Sequence, residues 1–296
     1  MKIEKLAGID IGSNAIRLLV VNVIIDKNTT ATVFKKSAIV RVPIRLGADT
    51  FITGKISENN VNRMQKAMHA FSLLMEVHGV KKYKACATSA MREASNGNDV
   101  VESIFKNTGV KIDIIDGKKE AEIIFSTDLT SIIDEHKSYL YVDVGGGSTE
   151  ITVFSHGKII NSKSFKIGTV RLRNKDSKQI IWKTMEQWVI ENTNHLKSLS
   201  VIGSGGNINK LFKMSEKPIG KSLSLQYLEN QYLFLKNMSF EDRITVLGLN
   251  PDRADVIIPA TNIYISAMQW SGAHKIYVPK IGLADGIIKN LYFNKL

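Results

Sequence analysis

An aspartate followed by a glycine turn occurs twice in this chain, each time between two strand-like runs, and the repetition limits the fold more than any other feature. Residues 6–21 read LAGIDIGSNAIRLLVV and residues 141–154 read YVDVGGGSTEITVF. Aligning Asp10 with Asp143 sets Gly12-Ser13-Asn14 over Gly145-Gly146-Gly147, and the copies lie 133 residues apart (143 − 10). That spacing suits two similar domains and excludes a short-period solenoid. A chain of 296 residues is long enough for two domains, each burying a core of its own.

Between the repeats the pattern alternates strand and helix. Residues 6–12 and 15–24 read as strands, and 31–42 as one or two more. Residues 57–78 read as an amphipathic helix with Ser57 as N-cap, an inner face of Val61, Met64, Met68, Phe71 and Met75, and Gly79 as the stop. KYKACA reads as a strand, 98–107 as a helix, KIDIID as a strand, and KKEAEIIFSTDLTSII as a helix after Gly117. The second glycine hairpin covers 139–160, a helix 178–199, and SVIGSGGNINKLF reads as strand, glycine turn and helix. Residues 222–247 and 254–270 are mostly helical, KIYVPK is a late strand, and GLADGIIKNLYF closes the chain as a helix. The class is α/β.

Several function classes fall away. No apolar run approaches the roughly 18 residues that span a bilayer. The start, with Glu4 and Asp10, lacks a signal-peptide core, so the expected location is cytoplasmic and no membrane partner is expected. One cysteine, Cys86, rules out an internal disulfide. The six histidines have no metal-site spacing, and no G-x-S-x-G elbow occurs. Gly220-Lys221-Ser222 is no P-loop, because Ser215 stands where its first glycine belongs. Ile208 likewise breaks a G-x-G-x-x-G at 203–208, although Gly205 and Gly206 still open a helix that can receive an anion.

What remains favours a phosphate ligand. Net charge is +12, from 40 basic and 28 acidic residues, which draws polyanions. The basic residues are scattered, without a basic arm or aromatic interleaving, so nucleic acid is disfavoured. Glycine turns bring backbone N–H groups close to an anion and tolerate positive φ. Gly12 in one copy, and Gly145, Gly146 and Gly147 in the other, supply such donors, and Ser13, Asn14, Ser148 and Thr149 add side-chain donors at the same place. Asp10 and Asp143 would repel phosphate unless a cation such as Mg²⁺ stood between, and Glu150 can reach the same ion. Glu120 alone reads as an ordinary first-turn glutamate. Arg92 reads either as a planar fork for phosphate or as a surface arginine.

GIDIGSNAIRLLV, RLGADTFITGKIS, ATSAMREA, IIDGKKEAEIIF, YVDVGGGSTEI, KIGTVRL, GSGGN and PDRADVI occur in the order seen in exopolyphosphatases and guanosine pentaphosphate phosphohydrolases. The chain resembles that family over nearly its whole length. The resemblance implies two ribonuclease-H-like (actin-like ATPase) domains with mixed β-sheets and an interdomain cleft. It places the first domain at 1–123, with the closing helix 283–296 packed back on it, and the second at 124–282. It makes Glu120 the general base, Asp143 and Glu150 the metal-associated acids, Asp10 the matching acid of the first hairpin, and Ser13, Asn14, Arg92, Gly145, Gly146, Gly147 and Ser148 phosphate-binding residues; from the turns themselves, Asp10 joins the expected metal ligands and Gly12, Gly205 and Gly206 the expected phosphate-binding residues. Gly168-Thr169-Val170-Arg171 matches a further family loop.

The implied activity is Mg²⁺-dependent hydrolysis of the terminal phosphoanhydride of inorganic polyphosphate. Guanosine pentaphosphate is the alternative substrate, and a monovalent cation and a homodimer are allowed. A weak polyphosphate- or alarmone-binding sensor and a superfamily kinase or ATPase are the rival classes. Lys119, Glu122 and Ala284 depart from the family pattern, which has Glu, Arg and Arg there.

Overall fold

The computed structural model describes residues 1–26, 32–127, 134, 136–173 and 178–294. The chain divides into two compact units, one of Met1–Thr127 with Gly282–Leu296 and one of Asp128–Ile281.

The first unit is built on a sheet in the order β3-β2-β1-β4-β5. Its strands are β1 (Lys2–Ile11), β2 (Ile16–Ile25), β3 (Thr32–Val42), β4 (Lys82–Ala87) and β5 (Ile112–Ile114). β1, β2 and β3 form an antiparallel meander, and β4 and β5 continue it in parallel on the other side of β1. Alternation along the strands divides their side chains between two cores. Ile9, Ile11, Ile16 and Leu18 pack with Met64, Met68, Phe71 and Met75 of helix α2 (Glu58–Val77), while Leu6, Leu19 and Val21 pack with Ala284 and Ile288 of helix α12 (Leu283–Tyr292). The stop and start signals of α2 hold: the Ser57 hydroxyl accepts from Asn60 N, and Gly79 has a φ of 67°.

α12 approaches its neighbours through glycines. A Cβ on Gly8 would lie 2.8 Å from the Ala284 carbonyl oxygen, and one on Gly286 only 2.0 Å from that of Ile123. Both contacts are with backbone, which cannot swing aside as a side chain does. Ile123 belongs to helix α5 (Gly117–Phe125), so α12 fixes the height of α5 beside β1.

The second unit repeats the scheme. Strands β6 (Ser138–Val144), β7 (Thr149–Ser155), β8 (Lys158–Phe165), β9 (Ser200–Ser204), β10 (Leu223–Ser224) and β11 (Lys275–Tyr277) lie in the order β10-β11-β9-β6-β7-β8. β6, β7 and β8 form the antiparallel meander, and β9 pairs in parallel with β6 as β4 does with β1. Helices α6 (Lys178–Thr193), α7 (Gly206–Met214), α8 (Leu225–Asn237) and α11 (Ile257–Trp270) pack around it.

Sequence and structure part at a few elements. The helical reading of 222–247 resolves into α8 and α9 (Phe240–Thr245), because Ser239 starts a new helix by accepting from Asp242 N. Residues 251–254 form a separate short helix α10 ahead of α11. Three helices are absent from the pattern reading or only hinted at by it, namely α1 (Leu46–Thr53), α3 (Ser89–Glu93) and the turn of 3₁₀ helix at Arg171–Arg173. α4 (Gly97–Thr108) matches its expected span. The part of the predicted 118–133 helix at 128–133 lies outside the described residues.

Candidate active site elements

In each unit the first antiparallel connection is a turn closed by one backbone hydrogen bond. Gly12 N donates to Ala15 O at 3.2 Å, and Gly145 N donates to Ser148 O at 3.0 Å. Neither Gly12 nor Gly145 adopts positive φ, which corrects the expectation that conformational freedom is their use. Space is the reason instead: a Cβ would stand 3.3 Å from Ala15 O in the first turn and 3.0 Å from Ser148 O in the second.

The carbonyl side of each turn is held by a separate segment. Gly145 O accepts from Thr169 N, Gly146 O from Val170 N and Arg171 N, and Gly147 O from Arg171 Nε. In a trans peptide the C=O of one residue and the N–H of the next point in opposite directions. With those carbonyls turned toward 169–171, the N–H groups of Gly146, Gly147 and Ser148 are directed to the opposite side. Three adjacent donors then form a cradle for an oxyanion. In the first unit Gly47 N donates to Ser13 O at 2.8 Å and Arg45 N to Asn14 O at 3.0 Å, which turns the N–H groups of Asn14 and Ala15 away from α1 in the same manner.

Glycine permits each brace. A Cβ on Gly168 would lie 2.4 Å from the Gly147 carbonyl carbon, and one on Gly47 3.1 Å from the Cβ of Ser13 in the turn and 2.6 Å from the Phe51 ring of its own helix. Two expected side-chain donors to the anion are committed elsewhere: the buried Ser13 hydroxyl pairs with that of Ser89 at 2.9 Å and ties the turn to α3, and the Thr149 hydroxyl donates to the Ile167 carbonyl at 2.6 Å.

The charges at the two turns differ. Asp10 faces Arg17 across β1 and β2, with Nη1 3.2 Å from Oδ2. Burial pushes the Asp10 carboxyl above its usual range; Arg17 pulls it back by charge and hydrogen bond, and Asp285 adds to the rise. Asp143 faces Glu150 across β6 and β7, at the matching register position, and Glu150 is 3% exposed. One oxygen of Glu150 accepts from the Ser164 hydroxyl at 2.8 Å. The buried hydroxyls of Tyr141 and Tyr264 are driven well above the usual range, first by burial and then by the Asp143 charge.

Gly205 brings a second anion-receptive element to Asp143. Its φ of 116° is accessible to glycine, and a Cβ there would lie 3.4 Å from Asp143 Oδ1. Gly205 caps α7, and Arg253 Nη1 donates to Gly206 O at 3.2 Å, which sets a guanidinium beside the first turn of that helix. Burial, then the charges of Lys213 and Arg253, lower the affinity of Lys210 for its proton. Within the second unit, the fold thus assembles the triglycine turn, Asp143, Glu150, Gly205 and Gly206.

Glu120 lies in the first turn of α5, 8% exposed, with Asp116 as N-cap accepting from Lys119 N at 2.7 Å. Arg92, at the end of α3, donates to the Ile115 carbonyl at 2.6 Å and so fixes the chain entering α5. Burial pushes the Cys86 thiol up to about 12, Lys84 opposes this, and Asp113, Asp10 and Glu120 add to it. Cys86 is therefore a core thiol in an acidic field, with no nucleophilic character at neutral pH.

Among the described residues no three His, Cys, Asp or Glu side chains form a metal cluster. The Asp143–Glu150 pair nevertheless fits Mg²⁺, which takes one or two carboxylates and completes its shell with water and substrate phosphate. The sequence reading gave no role to Arg17, Arg45, Gly47 or Arg253. Only Arg17 carried a signal, since it sits at the offset from Asp10 that Glu150 has from Asp143.

The sequence model of the Ppx/GppA phosphatase family matches residues 23–293. The chain is 30% identical over 298 residues to a bifunctional 3-dehydroquinate synthase/phosphatase of Fusobacterium nucleatum, covering 92% of this chain and 44% of that one. It is 31% identical over 180 residues to Exopolyphosphatase 2 of Mycobacterium tuberculosis, covering 58% of this chain and 54% of that one. The chain spans about half the length of these two relatives. The crystal structure of an exopolyphosphatase from Cytophaga hutchinsonii superposes with a TM-score of 0.84 over 98% of both chains at 23% identity, a likeness of fold, and that fold is actin-like with two mixed sheets. No helix among the described residues is long and apolar enough to cross a membrane.

Proposed function

We propose that this chain, which belongs to the Ppx/GppA phosphatase family, hydrolyses the terminal phosphoanhydride bond of inorganic polyphosphate and releases orthophosphate. The observation that carries the reading is the triglycine turn with its carbonyls bound on one side by Thr169, Val170 and Arg171. Donors fixed before the substrate arrives cost no reorganisation during reaction, and such stabilisation of phosphoryl oxygens is the largest catalytic contribution available here.

Gly146, Gly147 and Ser148 bind the equatorial oxygens of the terminal phosphate. Asp143 and Glu150 would hold Mg²⁺, with Asp10 as a further acid of the site; the ion supplies positive charge to the phosphoryl oxygens and the leaving chain. Glu120 takes a proton from water as the water oxygen bonds to phosphorus and the anhydride P–O bond breaks. The electron pair of that bond leaves on a polyphosphate one unit shorter. Gly205, Gly206 and Arg92 extend the phosphate-binding surface, and the basic surplus concentrates a polyanion around the protein in a salt-sensitive way.

The test is release of orthophosphate from polyphosphates of defined length and from guanosine pentaphosphate, with and without Mg²⁺. Release from polyphosphate that depends on Mg²⁺ supports the reading. Faster release from guanosine pentaphosphate moves the substrate to the alternative the family resemblance allows. Tight binding without release from either overturns hydrolysis and leaves a sensor, and phosphoryl transfer from ATP to an acceptor points to a kinase.

A further inference from the structure

A cavity of about 750 Å³ opens in the second unit among α6, α8 and α11. Six polar or aromatic side chains line it: Gln179, Trp182, Lys183 and Glu186 from α6, Tyr232 from α8 and Asn262 from α11. The four from α6 fall at i, i+3, i+4 and i+7, so they share one helix face. None of them is needed by the hydrolytic chemistry above.

The rings are held in place from outside the cavity. Trp182 meets Trp270 edge to face, with centroids 5.6 Å apart and planes at 74°, and the Lys236 ammonium stands 5.9 Å from the Tyr232 ring centroid. The polar groups are uncommitted. Among the described residues, Gln179, Lys183, Glu186 and Asn262 make no side-chain hydrogen bond or ion pair, nor do the Trp182 indole N–H and the Tyr232 hydroxyl. Two positioned aromatic rings with an acid, an amine and two amides around one space match a flat heterocycle that has donors and acceptors on its edge. The volume lies within the range that encloses a drug-sized molecule.

We propose that this cavity binds a purine nucleoside monophosphate. Its base stacks on Trp182, its edge is read by Glu186, Asn262 and Gln179, and its phosphate is paired with Lys183. The cavity is connected to the phosphate turn through its wall. Leu172 lines it and donates its N–H to Gly168 O at 2.8 Å, and the adjacent Arg171 holds the Gly147 carbonyl. An occupant pressing on Leu172 therefore acts on the segment that fixes the turn.

The test uses the full chain and calorimetric titration with adenosine and guanosine monophosphates, with inorganic pyrophosphate as the probe lacking a base. The expected result is binding of a purine nucleotide that quenches tryptophan fluorescence and persists in saturating tripolyphosphate. Trp182→Ala should weaken it at least tenfold while polyphosphate hydrolysis stays within twofold of wild type. Asn262→Leu carries the same expectation should Trp182→Ala fail to fold, as read by circular dichroism. Absence of binding by either nucleotide overturns the proposal. So does binding that tripolyphosphate displaces and neither substitution weakens, since that places the nucleotide at the hydrolytic site. Pyrophosphate binding as tightly as the nucleotides also overturns it, because the base would then contribute nothing.

Discussion

The two glycine turns share a backbone and differ in charge. Each is closed by an N–H···O bond between residues three apart, each has its carbonyls held by a distant segment, and each segment passes close by means of a glycine. Across the strands, however, the first turn sets Asp10 against Arg17 and the second sets Asp143 against Glu150. The first is neutralised by its own chain. The second sets two acids side by side next to the triglycine turn, a donor set that suits a hard cation. One framework thus carries two charge patterns, and a single position, seven residues after the aspartate, separates them.

On the proposed mechanism Glu120→Gln gives the largest effect. Orthophosphate release should fall by about 10² to 10⁴-fold, the usual worth of a general base, while polyphosphate still binds. A variant with a tenth or more of the wild-type rate removes Glu120 from that role.

Glu150→Arg converts the second turn to the charge pattern of the first. Activity should drop by more than about tenfold and lose its response to Mg²⁺, because even the partners behind a metal's ligands are worth roughly 10–100-fold. An undiminished Mg²⁺ response would show that the charge difference is incidental.

The braces are distinguished by a smaller pair of changes. Gly168→Ala drives a methyl into the Gly146–Gly147 backbone, whereas Gly47→Ala meets mainly the Phe51 ring, a side chain that can turn. The first should cost about 1–3 kcal/mol of stability and lower activity by roughly tenfold; the second should do less in both respects. Urea denaturation and phosphate release measure the two effects, and equal losses would mean that backbone contact is not what limits the second turn.

The smallest effect concerns pH. Because burial raises the folded-state pKa of Asp10, its contribution to stability is fully present below the unfolded value near 3.8 and is lost as pH rises through the raised one. Asp10→Asn should flatten the dependence of unfolding free energy on pH across that window. Identical slopes for wild type and variant would remove burial as the dominant influence on Asp10.

Much of this architecture is legible in the sequence because it depends on side-chain pattern. The repeated Asp-x-Gly segments, the Met64–Met68–Phe71–Met75 face of α2 and the Ser57 cap are all written in residue types. The braces are not. Thr169, Val170, Gly47 and Arg45 act mainly through backbone N–H groups, which every residue but proline possesses, so composition at those positions is uninformative. α1 escapes pattern reading for a related reason: it is eight residues long and follows Arg45, a left-handed residue that gives no side-chain cap. Glu120 looks like any first-turn glutamate until its burial is seen, and only the family resemblance raised it above its neighbours.

The glycine contacts of α12 bear on the order in which the protein can be made. Leu6, Leu19 and Val21 emerge early from the ribosome, but the helix that covers them, with Ala284 and Ile288, comes almost three hundred codons along. The second unit, contiguous in the chain, can close during synthesis while one face of the earlier sheet stays bare. Nascent chains stalled before residue 283 should therefore expose that apolar face to chaperones, although most of the unit it belongs to has already been translated.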